Sequence, residues 1–342
     1  MSVLVTGAGG YIGTVLVPLL LEKGHQVIAL DRFFFGRDNL QRAIDGHQVE
    51  IIRDDIRWFD PNILEGVDAV IDLAALSNDP AGELDEVKTR EINHQARAKI
   101  AKLAKERGVK RYILPSSCSI YGFRDPDEAI DETYAPNPLT AYARANLAAE
   151  NDSLPLANDK FTVVALRQST VYGLSPRMRF DLAINGMVMG FFRGGKIPIL
   201  RDGTQWRPFV HVKDTSRALI AALEADSKLV NGQIFNVGAN DDNVMIFELA
   251  ERAAKAIGVP FKYEWYGLPD HRSYRVTFDK ISNTLGFKTS VSIEEGAQEI
   301  YKALVDKVVD PDDMRTITVK WYKHLMYMQD FLKETEVNGV IL

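Results

Sequence analysis

Along its first half the chain alternates short apolar runs with longer amphipathic stretches. Val3-Leu4-Val5-Thr6 reads as a buried strand, a glycine-rich turn follows, and an apolar helix runs to about Lys23, where Gly24 fits as its stop. Gln26 to Leu30 reads as a second strand ending on Asp31, and Val49 to Ile52 as a third. Val67 to Ala75 is a fourth, nearly continuous in apolar residues, as a strand covered on both faces should be. From Glu83 to Arg107 a long helix carries Leu84, Val87, Ile92, Ala96, Ile100 and Leu103 along one stripe, and Gly108 stops it. Arg111 to Pro115 is a fifth strand, Leu139 to beyond Glu150 another long helix, and Phe161 to Arg167 a sixth strand. This alternation predicts an α/β chain built on a doubly wound parallel sheet. Past Gly173 the rhythm breaks. Asn231 to Gly238 reads as one more strand, Met245 to Ile257 as a helix, Asp310-Pro311-Asp312-Asp313 as a break, and Ile317 to Lys333 as a last helix that docks outside any site.

The turn after the first strand, Gly7-Ala8-Gly9-Gly10-Tyr11-Ile12-Gly13, has the spacing of a phosphate cradle. Gly7 lets the strand turn, Gly10 lets the backbone approach a pyrophosphate, and Gly13 lets the helix pack on the strand; the helix N-terminus offers free N–H groups. With Asp31 placed to grip a ribose 2′-hydroxyl, the four-part match predicts a Rossmann-type dinucleotide half over residues 1–172, a smaller substrate-binding lobe over 173–309 and a helical extension over 310–342. Gly7, Gly10, Tyr11, Ile12 and Gly13 are the expected cofactor contacts in the turn; Asp31, Arg32, Asp55, Ile56, Leu73, Ala74 and Ala75 are those at the following strand ends. Asp31 favours NAD, because a carboxylate repels a 2′-phosphate; the neighbouring Arg32 leaves NADP open. Asp55 is placed to accept from an adenine amino group. Phe33-Phe34-Phe35 cannot all be buried on one face of a strand and should be a loop, either a wall over the adenosine or a local hydrophobic cluster.

Composition narrows the function further. With 342 residues, 46% hydrophobic and 26% charged, the chain is long enough for a large core. A net charge of −6 without any Lys/Arg block argues against a nucleic-acid partner. No apolar run approaches the roughly 18 to 20 residues of a membrane span, and the first strand begins at once, which predicts neither a membrane role nor a signal peptide. The lone Cys118 fits a reducing, cytoplasmic setting, and the histidines lack metal-ligand spacing, so no metal is expected.

Two further stretches suggest chemistry. Ser116-Ser117-Cys118-Ser119-Ile120-Tyr121-Gly122 crowds hydroxyls at a strand's C-terminal end, and Pro138-Leu139-Thr140-Ala141-Tyr142 opens the next helix. Later, Arg177, Arg179, Arg193, Arg201 and Arg207 are interleaved with Phe180, Asn185, Phe191, Phe192 and Trp206, and Asp270-His271-Arg272 adds another arginine. Guanidinium groups suit phosphate bidentately and aromatics suit a base, so this half reads as built for a nucleotide-linked substrate.

These residues resemble the extended short-chain dehydrogenase/reductase family, in its nucleotide-sugar epimerase and dehydratase branch, over nearly the whole chain from Thr6 to Phe287. The resemblance implies NAD(P) in the N-terminal lobe, a nucleoside-diphosphate sugar in the C-terminal lobe, and a homodimer paired through the helices near 83–107 and 139–157. Ser117 resembles the family's active-site Ser/Thr, Tyr142 its catalytic tyrosine and Asn93 its structural asparagine. Gly203 to Val212 resembles the segment whose arginine, here Arg207, holds the substrate diphosphate. Asn185 is expected near the first phosphate and Arg272 is a second diphosphate candidate.

Three positions depart from the family's pattern. The Tyr-x-x-x-Lys motif is here Tyr142-Ala143-Arg144-Ala145-Asn146, so a lysine that would lower the tyrosine's pKa and grip the nicotinamide ribose is replaced by Asn146, which can hydrogen-bond but carries no charge. Cys118 and Ser119 stand where the dehydratases carry acids, which disfavours dehydration. Thr170 replaces the asparagine of Arg-x-x-Asn-x-x-Gly, at a substrate contact. The expected chemistry is oxidation at the sugar C4 with Ser117 and Tyr142, then re-reduction on the other face, which is epimerisation; the alternatives are reduction of an incoming 4-ketosugar and a non-catalytic NAD(P)-binding sensor or scaffold. Arg144, two positions from Tyr142, is expected to point away, leaving the nicotinamide ring as the only nearby positive charge.

Overall fold

The computed structural model of the protein describes residues 1–123, 128–268, 273–337 and 339–340. Its main strands are β1 (Ser2–Thr6), β2 (Gln26–Asp31), β3 (Glu50–Arg53), β4 (Ala69–Asp72), β5 (Arg111–Ser117), β6 (Thr162–Gln168), β7 (Thr170–Tyr172), β8 (Trp206–His211), β9 (Gln233–Val237) and β10 (Asn243–Met245). Seven of them form one sheet in the order β9-β6-β5-β4-β1-β2-β3, parallel throughout. The strand order reverses between β1 and β4, and ligands bind at the carboxyl ends of such a switch point.

The apolar runs become buried strands because both faces of the sheet are covered. Val3 and Val5 point into one core with Leu16, Leu20 and Leu219, whereas Leu4 between them points into the opposite core with Leu30, Val70, Ile100 and Tyr112. Around the sheet stand α1 (Gly13–Glu22), α2 (Glu86–Arg90), α3 (Arg97–Glu106), α4 (Ala141–Ser153), α5 (Ala183–Phe192), α6 (Val212–Glu224), α7 (Ile246–Ala256), α8 (Ile293–Val305) and α9 (Thr318–Thr335). A third core gathers Ile184, Phe209, Leu249 and Ile300 from α5, α7, α8 and the three-stranded sheet β10-β8-β7, with Phe180 from the loop before α5. The sheet does not end at residue 172: β9 pairs with β6, and Leu219 and Leu223 of α6 pack in the first core, so segments beyond that boundary return to it.

Two elements differ from the reading of the sequence. The helix expected over 83–107 starts at Glu86, where the Asp85 side chain accepts from Lys88 N and caps it, and a six-residue π segment, Glu91–Ala96, separates α2 from α3. Such a widened turn is rare in helices and frequent at functional sites. The last helix, expected to dock elsewhere, packs on the loop after β2: the Trp321 indole donates to Phe34 O at 2.6 Å, and the Tyr322 ring centroid lies 6.0 Å from Phe34 and 5.5 Å from Phe35. The phenylalanine triplet is thus a loop and part of a hydrophobic cluster. Among the described residues no helix is long and apolar enough to cross a membrane.

Candidate active site

The turn after β1 is shaped by two glycines. Gly7 has φ +68°, and a Cβ there would stand 2.8 Å from Ala74 N; a Cβ on Gly13 would stand 2.4 Å from Gly7 O. Any side chain at either position would push α1 and the β4 end away from β1. Leu73 and Ala74, followed by Ala75, form the opposite wall, with Ala74 N donating to Thr6 Oγ1 at 3.1 Å. A Cβ on Gly10 would meet only Gly7 O at 3.0 Å, so the cradle is open above it. Ile12 is the residue before α1, with no side chain capping the helix N-terminus. Tyr11 serves the scaffold: its hydroxyl donates to Gly173 O at 2.6 Å and accepts from Asn185 Nδ2.

Asp31 lies at the end of β2, as expected. Its carboxylate accepts from Gly9 N at 3.0 Å and from Phe33 N at 2.5 Å. Burial pushes its pKa up, against the pull of those two N–H groups and of Arg177. Arg32 is tied to Asp55 at 2.9 Å and lies over the Phe34 ring. Both Asp55 oxygens are taken by Arg32 and Arg57, which hold its pKa down against burial, so the expected adenine contact competes with two arginines. Ile56 beside it is buried. Asn93 is fully buried in the π segment and spends its amide on the backbone of Leu76, accepting from Leu76 N and donating to Leu76 O; it anchors the β4 loop.

The expected chemical pair comes together. Ser117, the last residue of β5, faces Tyr142, in the first turn of α4. Thr140 caps α4 by accepting from Ala143 N, and its hydroxyl donates to Asp79 at 2.6 Å. Burial raises the pKa of Tyr142, Asp79 raises it further, and Arg97, the Ser117 hydroxyl and Arg179 pull it down. Arg144 is on the far side of the helix, paired with Glu86. Beside the pair, Asp79, Ser119, Gly122, Leu139, Thr140, Arg207 and Tyr274 line a cavity of about 30 Å³. The Ser119 hydroxyl is enclosed and without a partner, and Arg207 donates to Trp206 O while lying near the Tyr274 ring. Thr170 is half-buried on β7, its backbone in register with Phe209 of β8.

Behind Tyr142 is a residue that sequence reading did not single out. Arg97 is 1% exposed. It donates through Nη1 to Asn146 Oδ1 at 3.0 Å and through Nη2 to Asp72 O and Pro115 O at 3.0 and 2.5 Å. Asn146 in turn donates to Tyr142 O at 3.0 Å, so its amide is already largely engaged. Asp72 lies 3.7 Å from Arg97 Nε and is itself held by the hydroxyls of Thr6 and Tyr112. A cation falling on the stripe that also carries Ala96, Ile100 and Ala104 was the available signal, since an unpaired charge does not belong on a buried face.

The arginine-rich stretch separates into different roles. Arg193 pairs with Asp312 at the surface, Arg201 is exposed, and Phe180 and Phe191 are core residues that cannot face a base. Asn185, fully buried, binds Gly173 N, Arg179 O and Tyr11 and so fastens the loop after β7 instead of facing a phosphate. Arg179 pairs with Asp181. Arg177 is 4% exposed, lies 3.6 Å from the Phe35 ring centroid and donates to Thr318 of α9, yet its Nε and Nη1 are enclosed without partners. Burial and the like charge of Arg179 press its pKa down to about 9. Orphaned donors beside an open glycine cradle fit an anion. Arg272, with Asp270 and His271, lies outside the described residues.

A parallel sheet with a glycine cradle at its switch point and a serine–tyrosine pair at the next strand end defines a dinucleotide-dependent enzyme of the short-chain type. The NAD dependent epimerase/dehydratase family model matches residues 3–238, and the chain belongs to that family. It is 28% identical over 315 residues to a UDP-N-acetyl-alpha-D-glucosaminuronate decarboxylase of Bacillus cytotoxicus, covering 86% of this chain and 95% of that protein. It is 29% identical over 308 residues to a UDP-glucuronate 4-epimerase of Thermodesulfobacterium geofontis, covering 86% and 93%. Among solved structures it resembles MoeE5 in complex with UDP-glucuronic acid and NAD, at 28% identity and TM-score 0.79, over 90% of this chain and 100% of that one.

Proposed function

We propose that the protein is an NAD-dependent epimerase acting at C4 of a UDP-sugar. The Ser117–Tyr142 pair beside the Arg207 cavity carries this reading. Gly7, Gly10 and Gly13 shape the cradle for the cofactor, Asp31 takes the adenosine ribose, and the orphaned donors of Arg177 take a phosphate. NAD is favoured over NADP because a carboxylate at the end of β2, here Asp31, repels a 2′-phosphate, while Arg32 is committed to Asp55. A bound NAD would supply the hydride acceptor for C4 and the donor for its return. The chain's own work is acid–base: Ser117 orients the C4 hydroxyl, Tyr142 Oη takes its proton as the C–O bond becomes a carbonyl, and the same oxygen returns a proton once the keto sugar has presented its other face. Arg207 holds the diphosphate at the cavity's far side.

Elimination of water is disfavoured because Cys118 is buried, donating to Arg167 O, and Ser119 is a hydroxyl where an acid would be needed. The relatives include UDP-sugar epimerases and decarboxylases alike, so the test must separate the outcomes. The protein is incubated with NAD and UDP-glucose, UDP-N-acetylglucosamine or UDP-glucuronic acid, each deuterated at C4, and followed by NMR. Epimerisation gives the C4 epimer with the label retained and no net nicotinamide reduction. Release of carbon dioxide with a pentose product, or stoichiometric reduced cofactor, would overturn it.

A further inference from the structure

We infer that Arg97 is the positioning residue that makes Tyr142 ionisable: a permanent buried cation held behind the tyrosine and linked to it through Asn146. This rests on Tyr142 being the proton acceptor of the proposed reaction.

A phenol titrates near pH 10 in water, and moving it into a buried site makes the charged form harder to reach. Proton transfer from a sugar hydroxyl therefore needs positive charge close to Tyr142. The groups that face it are Asp79 from the short helix Asp79–Gly82, Ser117 from β5, Arg179 from the loop after β7 and Arg97 from α3. Asp79 opposes ionisation. Ser117 carries no charge, and Arg179 is neutralised by its ion pair with Asp181. Arg97 differs from Arg179 in where its donors go: its three strong hydrogen bonds end on neutral oxygens, those of Asn146, Asp72 O and Pro115 O. The Asp72 carboxylate stays 3.7 Å from Nε, outside hydrogen-bond distance, and its two oxygens are occupied by Thr6 and Tyr112. The positive end of the pair is thus turned toward α4. Asn146, 2% exposed, fixes it against this turn of α4, accepting from Arg97 and donating to the main-chain carbonyl of Tyr142 one turn back.

Three features fix this geometry. The π segment brings Asn93 onto the β4 loop and is followed at once by Arg97. Gly82 allows the short helix to sit against Tyr142, where a Cβ would stand 3.0 Å from the Tyr142 Cβ. Pro115 O, which cannot be matched by an N–H of its own residue, receives the Arg97 Nη2 donor. A lysine at 146 would meet Arg97 directly, so position 146 can be uncharged only because the charge sits at 97, and the two choices depend on each other.

The experiment uses NAD-loaded protein and reads Tyr142 ionisation from the tyrosinate absorbance difference against Tyr142→Phe, in parallel with the pH–rate profile. Arg97→Met should move the midpoint of both upward by at least one pH unit, a tenfold change in proton affinity. Adding Asn146→Lys to Arg97→Met should move it back. Because Arg97→Met leaves Asp72 without a counter-charge, Arg97→Met/Asp72→Asn, read against Asp72→Asn alone, gives the same comparison in a neutralised background. Folded Arg97 variants with an unshifted midpoint would overturn the inference; full activity in Tyr142→Phe would instead overturn the reaction on which it rests.

Discussion

Arg97 and Arg177 are both buried arginines, 1% and 4% exposed, and each has an Nε without a hydrogen-bond partner, but they differ in how much of the fork is already bonded. Arg97 has spent Nη1 and Nη2 on three carbonyl oxygens and has Asp72 nearby. Arg177 has one bond, to Thr318, a ring beneath it, and two enclosed donors with nothing to bind. A buried guanidinium that is already bonded belongs to the scaffold and acts through its field. One that is buried and left wanting is waiting for a ligand. Burial alone would have put the two in one class.

The comparison breaks most visibly in stability. Removing one member of a buried ion pair typically costs about 3 to 5 kcal/mol, so Arg97→Met should lose that much in denaturant unfolding, and Asp72→Asn added to it should recover part. Arg177→Met, which removes unsatisfied donors, should leave apo stability within about 1 kcal/mol of the parent. The next effect runs the other way. Arg177→Met should weaken NAD binding by roughly 30- to 150-fold, about 2 to 3 kcal/mol, as a charge-assisted phosphate contact is lost, read by calorimetric titration. Equal NAD affinity in parent and variant would make Arg177 a structural residue after all. Smallest is the effect at the substrate end: Arg207→Ala should raise the dissociation constant for UDP by more than tenfold, about 1.4 kcal/mol, and leave NAD binding alone.

The sequence carried the cofactor half because its requirements are local. Gly7 and Gly13 are demanded by backbone approach within one turn, and Asp31 by its place at the end of a strand, so spacing alone reports them. Ser117 and Tyr142 fall where the sequence placed them, each at the edge of an element whose hydrophobic period is clear. The second half depends on contacts between distant positions. Asn185 looked like a ligand because polar residues among arginines suggest one, yet its partners are Tyr11 and Gly173, 174 and 12 positions away. Phe180 and Phe191 looked like base-stacking residues and are core, because the lobe's small sheet has to be covered by something. Arg97 was hidden in a helical stripe whose period was right, and only the π segment and the Asn146 contact give it meaning. Strand β9 was recognised as a strand but not as part of the main sheet, since pairing order across a long connection leaves no mark in local pattern.

The packing of α9 on the aromatic loop also sets an order in time. Phe34 and its hydrogen-bond partner Trp321 are 287 positions apart, which at roughly 5 to 20 residues per second of synthesis separates their appearance by roughly 15 to 60 s. For that interval Phe34 and Phe35 lack Tyr322, and Arg177, though made earlier, lacks Thr318. The cradle and the aromatic loop beside it are made well before the helix that packs on that loop.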